Sequence, residues 1–119
     1  MAASALAGRR ILLVEDNFHI AMVMAELLRT EGAEIIGPKG TVADALAIIA
    51  VTEHLDGAAL DINLQGELVY PVVDALRAKG VPVVFITGYD EISIKPGYAD
   101  VPCLQKPIMV ENLTQALLG

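Results

Sequence analysis

Residues 11–17 read ILLVEDN, a run of four apolar residues that ends in two acidic residues and an asparagine. The apolar run has the length of a buried strand, and asparagine is a residue type that caps helices. Apolar residues then recur three and four apart from Ile20 to Leu28, which predicts an amphipathic helix that ends near Gly32. This strand followed by a helix is the first unit of the pattern that decides the fold.

The same alternation continues along the chain. Four more strands are predicted at Ala33–Ile36, Ala58–Leu60, Val83–Ile86 and Val101–Leu104. Further helices are predicted after a cap at Thr41, from Val69 to Lys79, and from Ile108 to Leu117, with a turn at Gly37, Pro38 and Gly40. Strands that alternate with helices indicate βαβ units around a parallel sheet, so the predicted fold class is α/β.

The stretch between Tyr89 and Asp100 has a weak helical pattern. Pro96 and Gly97 interrupt it, and few apolar residues recur there at helical spacing. We therefore expect a fourth helix that is short or mobile.

The length of 119 residues predicts one domain over residues 1–119, with its core at about 10–118. Hydrophobic residues make up 55% of the chain, which favours central strands buried on both faces. The longest apolar stretches, such as Val81–Ile86, are far shorter than the roughly 20 residues of a membrane span. We expect a soluble protein without a membrane partner.

Eight basic and fifteen acidic side chains give a formal charge of −7, which disfavours direct nucleic-acid binding. The N-terminal MAASALAGRR places small apolar residues before arginines, the reverse of a secretory signal. A lone cysteine, Cys103, fits a reducing compartment. We expect a cytoplasmic protein.

Polar side chains follow four of the five predicted strands. Glu15 and Asp16 follow the first strand, Asp61 the third, Thr87 the fourth and Lys106 the fifth. Ligands of open parallel sheets collect at this edge, and three neighbouring carboxylates need a cation to offset their repulsion. Magnesium takes oxygen ligands, and a carboxylate can attack phosphorus to give an aspartyl phosphate.

The order of these five side chains, with Pro107 directly after Lys106, resembles the response-regulator receiver domain. The resemblance covers the chain from about Arg10 to Leu118. It implies a flavodoxin-like, doubly wound sheet of five parallel strands in the order 2-1-3-4-5, with helices on both faces.

The resemblance also implies a role for each residue of the site. Asp61 would be the phosphoacceptor and a ligand of Mg²⁺, and Asp16 would bind the ion directly. Glu15 would support the ion directly or through water, and Asn63 would contribute its backbone carbonyl. Among the remaining residues, Thr87 would hydrogen-bond a phosphoryl oxygen, and Lys106 would pair with the phosphoryl group or with unloaded Asp61.

Two positions depart from the family pattern. Cys103 stands where many receivers have an aromatic switch residue, so that switch is absent, and we interpret Cys103 as a buried strand residue rather than a redox-sensitive thiol. Gln65 stands where a proline is common, which predicts a different shape for the loop after Asp61.

Residues 85–89 read FITGY and partly resemble a receiver subclass nicknamed FAT GUY, with Ile86 where alanine is expected. In that subclass signalling would run through the segment after Gly88, with Tyr89 as a candidate contact. His19 and His54 lie away from the strand ends, so neither is interpreted as a phosphoryl donor or metal ligand.

The function expected from this resemblance is that of a receiver phosphorylated by a histidine kinase or a histidine phosphotransfer protein. Such a receiver is a signalling phosphoacceptor rather than an ordinary enzyme. Because no effector domain follows Gly119 in the sequence, we expect a single-domain regulator that acts on an unidentified downstream protein. A receiver excised from a larger regulator is the alternative. A non-phosphorylated pseudo-receiver that binds proteins is the rival class. A flavin protein is disfavoured, because Glu15 and Asp16 stand where a phosphate-binding loop needs glycine and hydroxyl residues.

Overall fold

The computed structural model describes residues 5–87, 94–106 and 109–118. Its strands are β1 Arg10–Val14, β2 Glu34–Lys39, β3 Gly57–Asp61, β4 Asn63–Leu64, β5 Glu67–Leu68, β6 Val83–Thr87 and β7 Cys103–Gln105. Its helices are α1 Phe18–Thr30, α2 Val42–Val51, α3 Tyr70–Ala78 and α4 Val110–Leu118.

Five parallel strands form one sheet in the order β2-β1-β3-β6-β7, which confirms the predicted topology. Successive side chains of a strand point to opposite faces. In β1, Leu12 and Val14 therefore pack in the cluster that includes residues of α2 and α3, whereas Ile11 and Leu13 pack in the cluster that includes residues of α1 and α4. The predicted helices on both faces are confirmed.

The helix ends follow the sequence signals. The side chain of Asn17 accepts the backbone N–H of Ile20 at 3.0 Å, and Thr41 accepts that of Asp44 at 3.0 Å. Gly32 and Gly80 follow the C-termini of α1 and α3 with φ angles of 93° and 71°, a conformation that favours glycine. These caps determine where α1 begins and ends, where α2 begins and where α3 ends.

The second strand is longer than predicted, and the predicted turn at Gly37 and Pro38 is wrong. Both residues lie inside β2, which continues to Lys39. The ladder with β1 shifts register and resumes with Val14 opposite Lys39, whose carbonyl accepts the N–H of Glu15 at 2.8 Å. Proline is tolerated here because β2 is an edge strand.

The fifth strand begins at Cys103, two residues later than predicted. Pro102 has no N–H to donate to the ladder, although its carbonyl accepts the N–H of Phe85 at 2.8 Å. β7 is therefore a three-residue edge strand.

The N-terminal segment contributes to the core, which the sequence did not indicate. Leu6 is fully buried, and its N–H donates to the carbonyl of Glu31 at 2.8 Å. The core thus begins before Arg10, where it was expected to start. No periodic pattern surrounds Leu6, so no local signal could show that it packs against the end of α1.

Residues 94–100 contain turns and no helix. The first part of the predicted fourth helix, including Tyr89, lies outside the described residues, so that prediction remains open. The last helix is described from Val110 rather than from Ile108, which also lies outside them. Among the helices that the structure describes, none is long and apolar enough to cross a lipid bilayer.

Gly32 and Gly80 provide a matched test of this packing. A Cβ at residue 32 would lie 2.8 Å from the backbone Cα of Ala7, whereas a Cβ at residue 80 meets nothing within 4 Å. Gly80→Ala is expected to cost about 1–3 kcal/mol of unfolding free energy for its left-handed backbone. Gly32→Ala should cost roughly 1–3 kcal/mol more, because the segment around Ala7 must move. Urea unfolding of both variants measures the difference, and equal losses would contradict the packing of this segment on α1.

Candidate functional site

Three carboxylates meet at the carboxyl edge of the sheet, as predicted. Glu15 and Asp16 follow β1, and Asp61 is the last residue of the neighbouring strand β3. One carboxylate oxygen from each residue lies within 4.8 Å of the other two. Strand order reverses between β1 and β3, and such a switch point is where open α/β sheets bind ligands.

Lys106 extends into this cluster from the end of β7. Its Nζ lies 2.8 Å from Oε1 of Glu15 and 3.3 Å from Oδ2 of Asp61, and its side chain is 16% exposed. Its backbone N–H donates to the carbonyl of Thr87 at 2.7 Å. This backbone contact fixes where the lysine leaves the edge strand.

Burial dominates the electrostatics of Glu15. Its side chain is only 2% exposed, and loss of solvation raises the pKa of its carboxyl to about 7. Hydrogen bonds from Lys106 and from the backbone N–H of Asn17 oppose this rise, and the charge of Asp61 adds to it. Burial also opposes the charged form of Lys106, but the hydrogen bond to Glu15 and the charge of Asp61 raise its pKa.

Thr87 is buried at the end of β6. In the ladder between β3 and β6, Asp61 lies opposite Ile86, so Thr87 is one residue beyond the position facing Asp61. The structure therefore brings together Glu15, Asp16, Asp61 and Lys106. Thr87 lies at the end of the strand next to Asp61, where the sequence placed it.

The loop after Asp61 forms a β-hairpin that the sequence analysis missed. Asn63 and Leu64 of β4 pair with Glu67 and Leu68 of β5 around a two-residue turn. Gln65 has a φ of 55°, which a proline ring excludes. The glutamine at this position is therefore compatible with the hairpin, and Gln65 followed by Gly66 was the signal that could have predicted it.

Asn63 links the hairpin to the carboxylates. Its backbone N–H lies 3.3 Å from Oδ1 of Asp61 and donates to it. Its side-chain Oδ1 accepts the N–H of Gly66 at 2.6 Å.

Cys103 is exposed, so its interpretation as a buried strand cysteine is wrong. The reason is its place in the edge strand β7, which has a neighbouring strand on one side alone. Partial burial still raises the pKa of its thiol.

The two histidines lie away from the carboxylates. His54 is exposed and lies just before β3, at the amino ends of the strands rather than at their carboxyl ends. Its Nε2 lies 2.9 Å from Oδ1 of Asp56. His19 is an exposed residue of α1.

The donor set fits a hard divalent cation. Carboxylate oxygens at a spacing within 4.8 Å suit Mg²⁺, which binds one or two protein carboxylates and keeps water and phosphate oxygens for its other positions. Lys106 contributes one positive charge against three acidic groups. The site is therefore short of positive charge whenever all three are ionised.

Residues 11–118 match the family described as the response regulator receiver domain. The transcriptional regulatory protein PdtaR of Mycobacterium tuberculosis is 28% identical over 119 residues, an alignment that covers 97% of this chain and 58% of PdtaR. The chain thus spans a little over half the length of this curated relative.

Solved structures are similar over the whole chain. The solution structure of SdrG from Sphingomonas melonis Fr1 is 37% identical, with complete coverage of both chains and a TM-score of 0.82. The BeF3-activated conformation of SdrG from Pseudomonas melonis Fr1 is also 37% identical, covers 99% of this chain and 97% of that one, and has a TM-score of 0.76.

The raised pKa of Glu15 predicts how stability depends on pH without metal. Because its pKa moves from 4.5 to about 7, the folded state binds more protons than the unfolded state between these values. Unfolding free energy in EDTA should therefore fall as pH rises from about 4.5 to 7, by up to about 3 kcal/mol. Urea unfolding across this range measures the slope.

Glu15→Gln is the control for this prediction, since it keeps the shape of the side chain and cannot titrate. The variant should therefore lose the part of the slope that Glu15 contributes. An unchanged slope would show that Glu15 ionises normally in the folded protein.

Proposed function

Because this chain belongs to the response regulator receiver domain family, we propose that it accepts a phosphoryl group on Asp61 in a reaction that requires Mg²⁺. The observation that carries the proposal is the position of Lys106, whose Nζ contacts both Asp61 and Glu15 at the edge where the three carboxylates meet. A histidine kinase or a histidine phosphotransfer protein would be the donor, in the cytoplasm. The protein acts as a signalling phosphoacceptor rather than as an enzyme with a released product.

The transfer is a displacement at phosphorus. A carboxylate oxygen of Asp61 forms a bond to the phosphorus of a phosphohistidine, and the P–N bond breaks, with its electron pair returning to the imidazole. Lys106 moves its pairing from the carboxylate of Asp61 to the phosphoryl oxygens, and the Thr87 hydroxyl donates a hydrogen bond to one of them. Attack by water, or by another histidine, returns Asp61 to its free carboxylate.

Mg²⁺, when bound, supplies charge neutralisation for the carboxylates and the phosphoryl oxygens. Asp16, Asp61 and the carbonyl of Asn63 would hold it, with Glu15 in contact directly or through water. The burial of Glu15 supports this assignment, because an ionised buried carboxylate needs compensating charge beyond that of Lys106.

We propose that the output runs through the segment that connects β6 and β7. Cys103 has no ring to rotate, so the aromatic switch is unavailable. The described part of this segment is held by ring contacts: Tyr98 lies 4.6 Å from Tyr70 between centroids, and Tyr70 meets Phe85 edge-on at 6.1 Å. Phe85 is two residues before Thr87 on β6, which supports a connected path from the site to this segment.

Hydrogen bonds reinforce the same contact. The backbone N–H of Lys95 donates to the hydroxyl of Tyr70 at 3.0 Å, and the hydroxyl of Tyr98 donates to Oδ1 of Asp74 at 2.7 Å. Arg77 donates to the carbonyl of Gly97 at 3.1 Å and to Asp100 at 2.8 Å. A shift at Thr87 that moves Phe85 would therefore reach residues 95–100, which are hydrogen-bonded to α3.

Tyr89 remains the proposed signalling contact, in the part of the segment that precedes residues 95–100.

The first test is phosphorylation itself. Acetyl phosphate with Mg²⁺ should add one phosphoryl group to the wild-type protein, detected by intact mass, and Asp61→Asn should abolish the gain because an amide cannot attack. Asp44→Asn is the matched control, since Asp44 is an exposed residue of α2. Absence of labelling in the wild-type protein, with Mg²⁺ present, would favour the pseudo-receiver.

The second test addresses the output. Beryllofluoride with Mg²⁺ should shift the amide resonances of residues 95–100 in the wild-type protein, because their contacts to α3 depend on Tyr70 and Phe85. Asp61→Asn should show no such shifts. Shifts confined to the residues around Asp61 and the hairpin would contradict the proposed path.

A further inference from the structure

We infer that the side chain of Asn63 and the glycine at position 66 are positioning residues for the cation: through the register of the β4–β5 hairpin they hold the Asn63 carbonyl on the side of Asp61. The inference rests on the proposed function, because that function needs this carbonyl as a ligand. It adds to the proposed site the side chain of Asn63 and the glycine at position 66, neither of which binds the cation itself.

The hairpin register determines which way the carbonyl faces. Antiparallel pairs alternate between those that exchange backbone hydrogen bonds and those that do not. The N–H of Val69 donates to the carbonyl of Ile62 at 2.9 Å, so this pair is a hydrogen-bonded one. The next pair, Asn63 opposite Leu68, is therefore a pair without mutual backbone hydrogen bonds. The N–H and the carbonyl of Asn63 consequently both point away from β5.

The hydrogen bond of Asn63 identifies what lies on that side. Its N–H donates to Oδ1 of Asp61 at 3.3 Å. In an extended strand the N–H and the carbonyl of one residue point to the same side. The carbonyl of Asn63 is thus kept out of the hairpin ladder and is directed to the side on which Asp61 lies.

The turn is what maintains this register. Gln65 and Gly66 have φ angles of 55° and 92°, and two successive positive φ values are what a two-residue type I′ turn requires. The Asn63 side chain closes the turn by accepting the N–H of Gly66 at 2.6 Å. The strands share only the two pairs of β4 and β5 and the hydrogen bond from Val69 to Ile62, too few contacts to set a register alone.

A slip by one residue would remove the ligand. Asn63 would then occupy a hydrogen-bonded position, and its carbonyl would turn into the ladder. The buried side chains of Ile62, Leu64 and Val69 hold the two strands of the hairpin in the core, so strain introduced at the exposed turn acts first on the backbone of the hairpin, which includes Asn63.

Gly66→Ala tests the inference. A Cβ at residue 66 meets nothing within 4 Å, so the substitution strains the backbone of the turn without crowding a neighbour. We expect the Mg²⁺ dissociation constant, measured by calorimetry without phosphodonor, to rise about 10-fold, the usual effect of disturbing a residue that orients a metal ligand. Gly80→Ala is the matched control, because Gly80 also has a positive φ and open space but lies at the end of α3. Its dissociation constant should stay within about twofold of the wild type, since no metal ligand depends on it.

A second pair of variants tests the side chain. Asn63→Ala keeps the carbonyl and removes the acceptor for Gly66, so Mg²⁺ binding should weaken in the same way. Asn63→Ser should restore much of it, because a serine oxygen can close a similar turn. Labelling by acetyl phosphate should need more Mg²⁺ for half its maximal rate in Asn63→Ala, while the rate at saturating Mg²⁺ approaches that of the wild type.

The two proposals fail in different ways. Wild-type protein that binds Mg²⁺ but takes no phosphoryl group would overturn the proposed function and leave the positioning role measurable by binding. Wild-type protein that is labelled, with Gly66→Ala and Asn63→Ala binding Mg²⁺ as Gly80→Ala does, would overturn the positioning role alone. If Gly66→Ala does not fold, the comparison of Asn63→Ala with Asn63→Ser decides the question.

Discussion

The repulsion among Glu15, Asp16 and Asp61, offset by Lys106, is the interaction on which the site depends. Parallel strands end at one edge of a sheet, so residues far apart in the chain bring their charges together there. Burial makes the imbalance costly, as the raised pKa of Glu15 shows. A folded protein with one ammonium group against three acids favours whatever supplies further positive charge, and a divalent cation would supply it.

Short segments at the ends of the strands position the residues that surround these acids, namely Thr87, Lys106 and Asn63. The N–H of Lys106 donates to the carbonyl of Thr87, so one backbone contact at the ends of β6 and β7 holds these two residues side by side. On the other side, the hairpin after Asp61 holds the backbone N–H of Asn63 against the carboxylate of Asp61. The site therefore depends on backbone hydrogen bonds of segments too short to be stable alone.

Much of the fold was predictable because its signals are local. Apolar runs, helix periodicity and caps such as Asn17 and Thr41 depend on residues a few positions apart, and they gave the five strands of the parallel sheet, the helices α1 to α4 and the fold class. The resemblance to receivers supplied the strand order. The errors lie where distant contacts outweigh local preference. Gly37 and Pro38 stay in β2 because β1 pairs with residues on both sides of them, Ile36 and Lys39, and Leu6 is buried because α1 ends beside it.

The sequence by itself determined which chemical groups stand at the strand ends and in what order, because side-chain identity and strand-to-turn signals are properties of neighbouring residues. Only the tertiary structure decided the contacts of Lys106 with two acids, the burial of Glu15 and the exposure of Cys103. Each of these depends on which remote segment packs alongside, and on a register that local spacing does not encode.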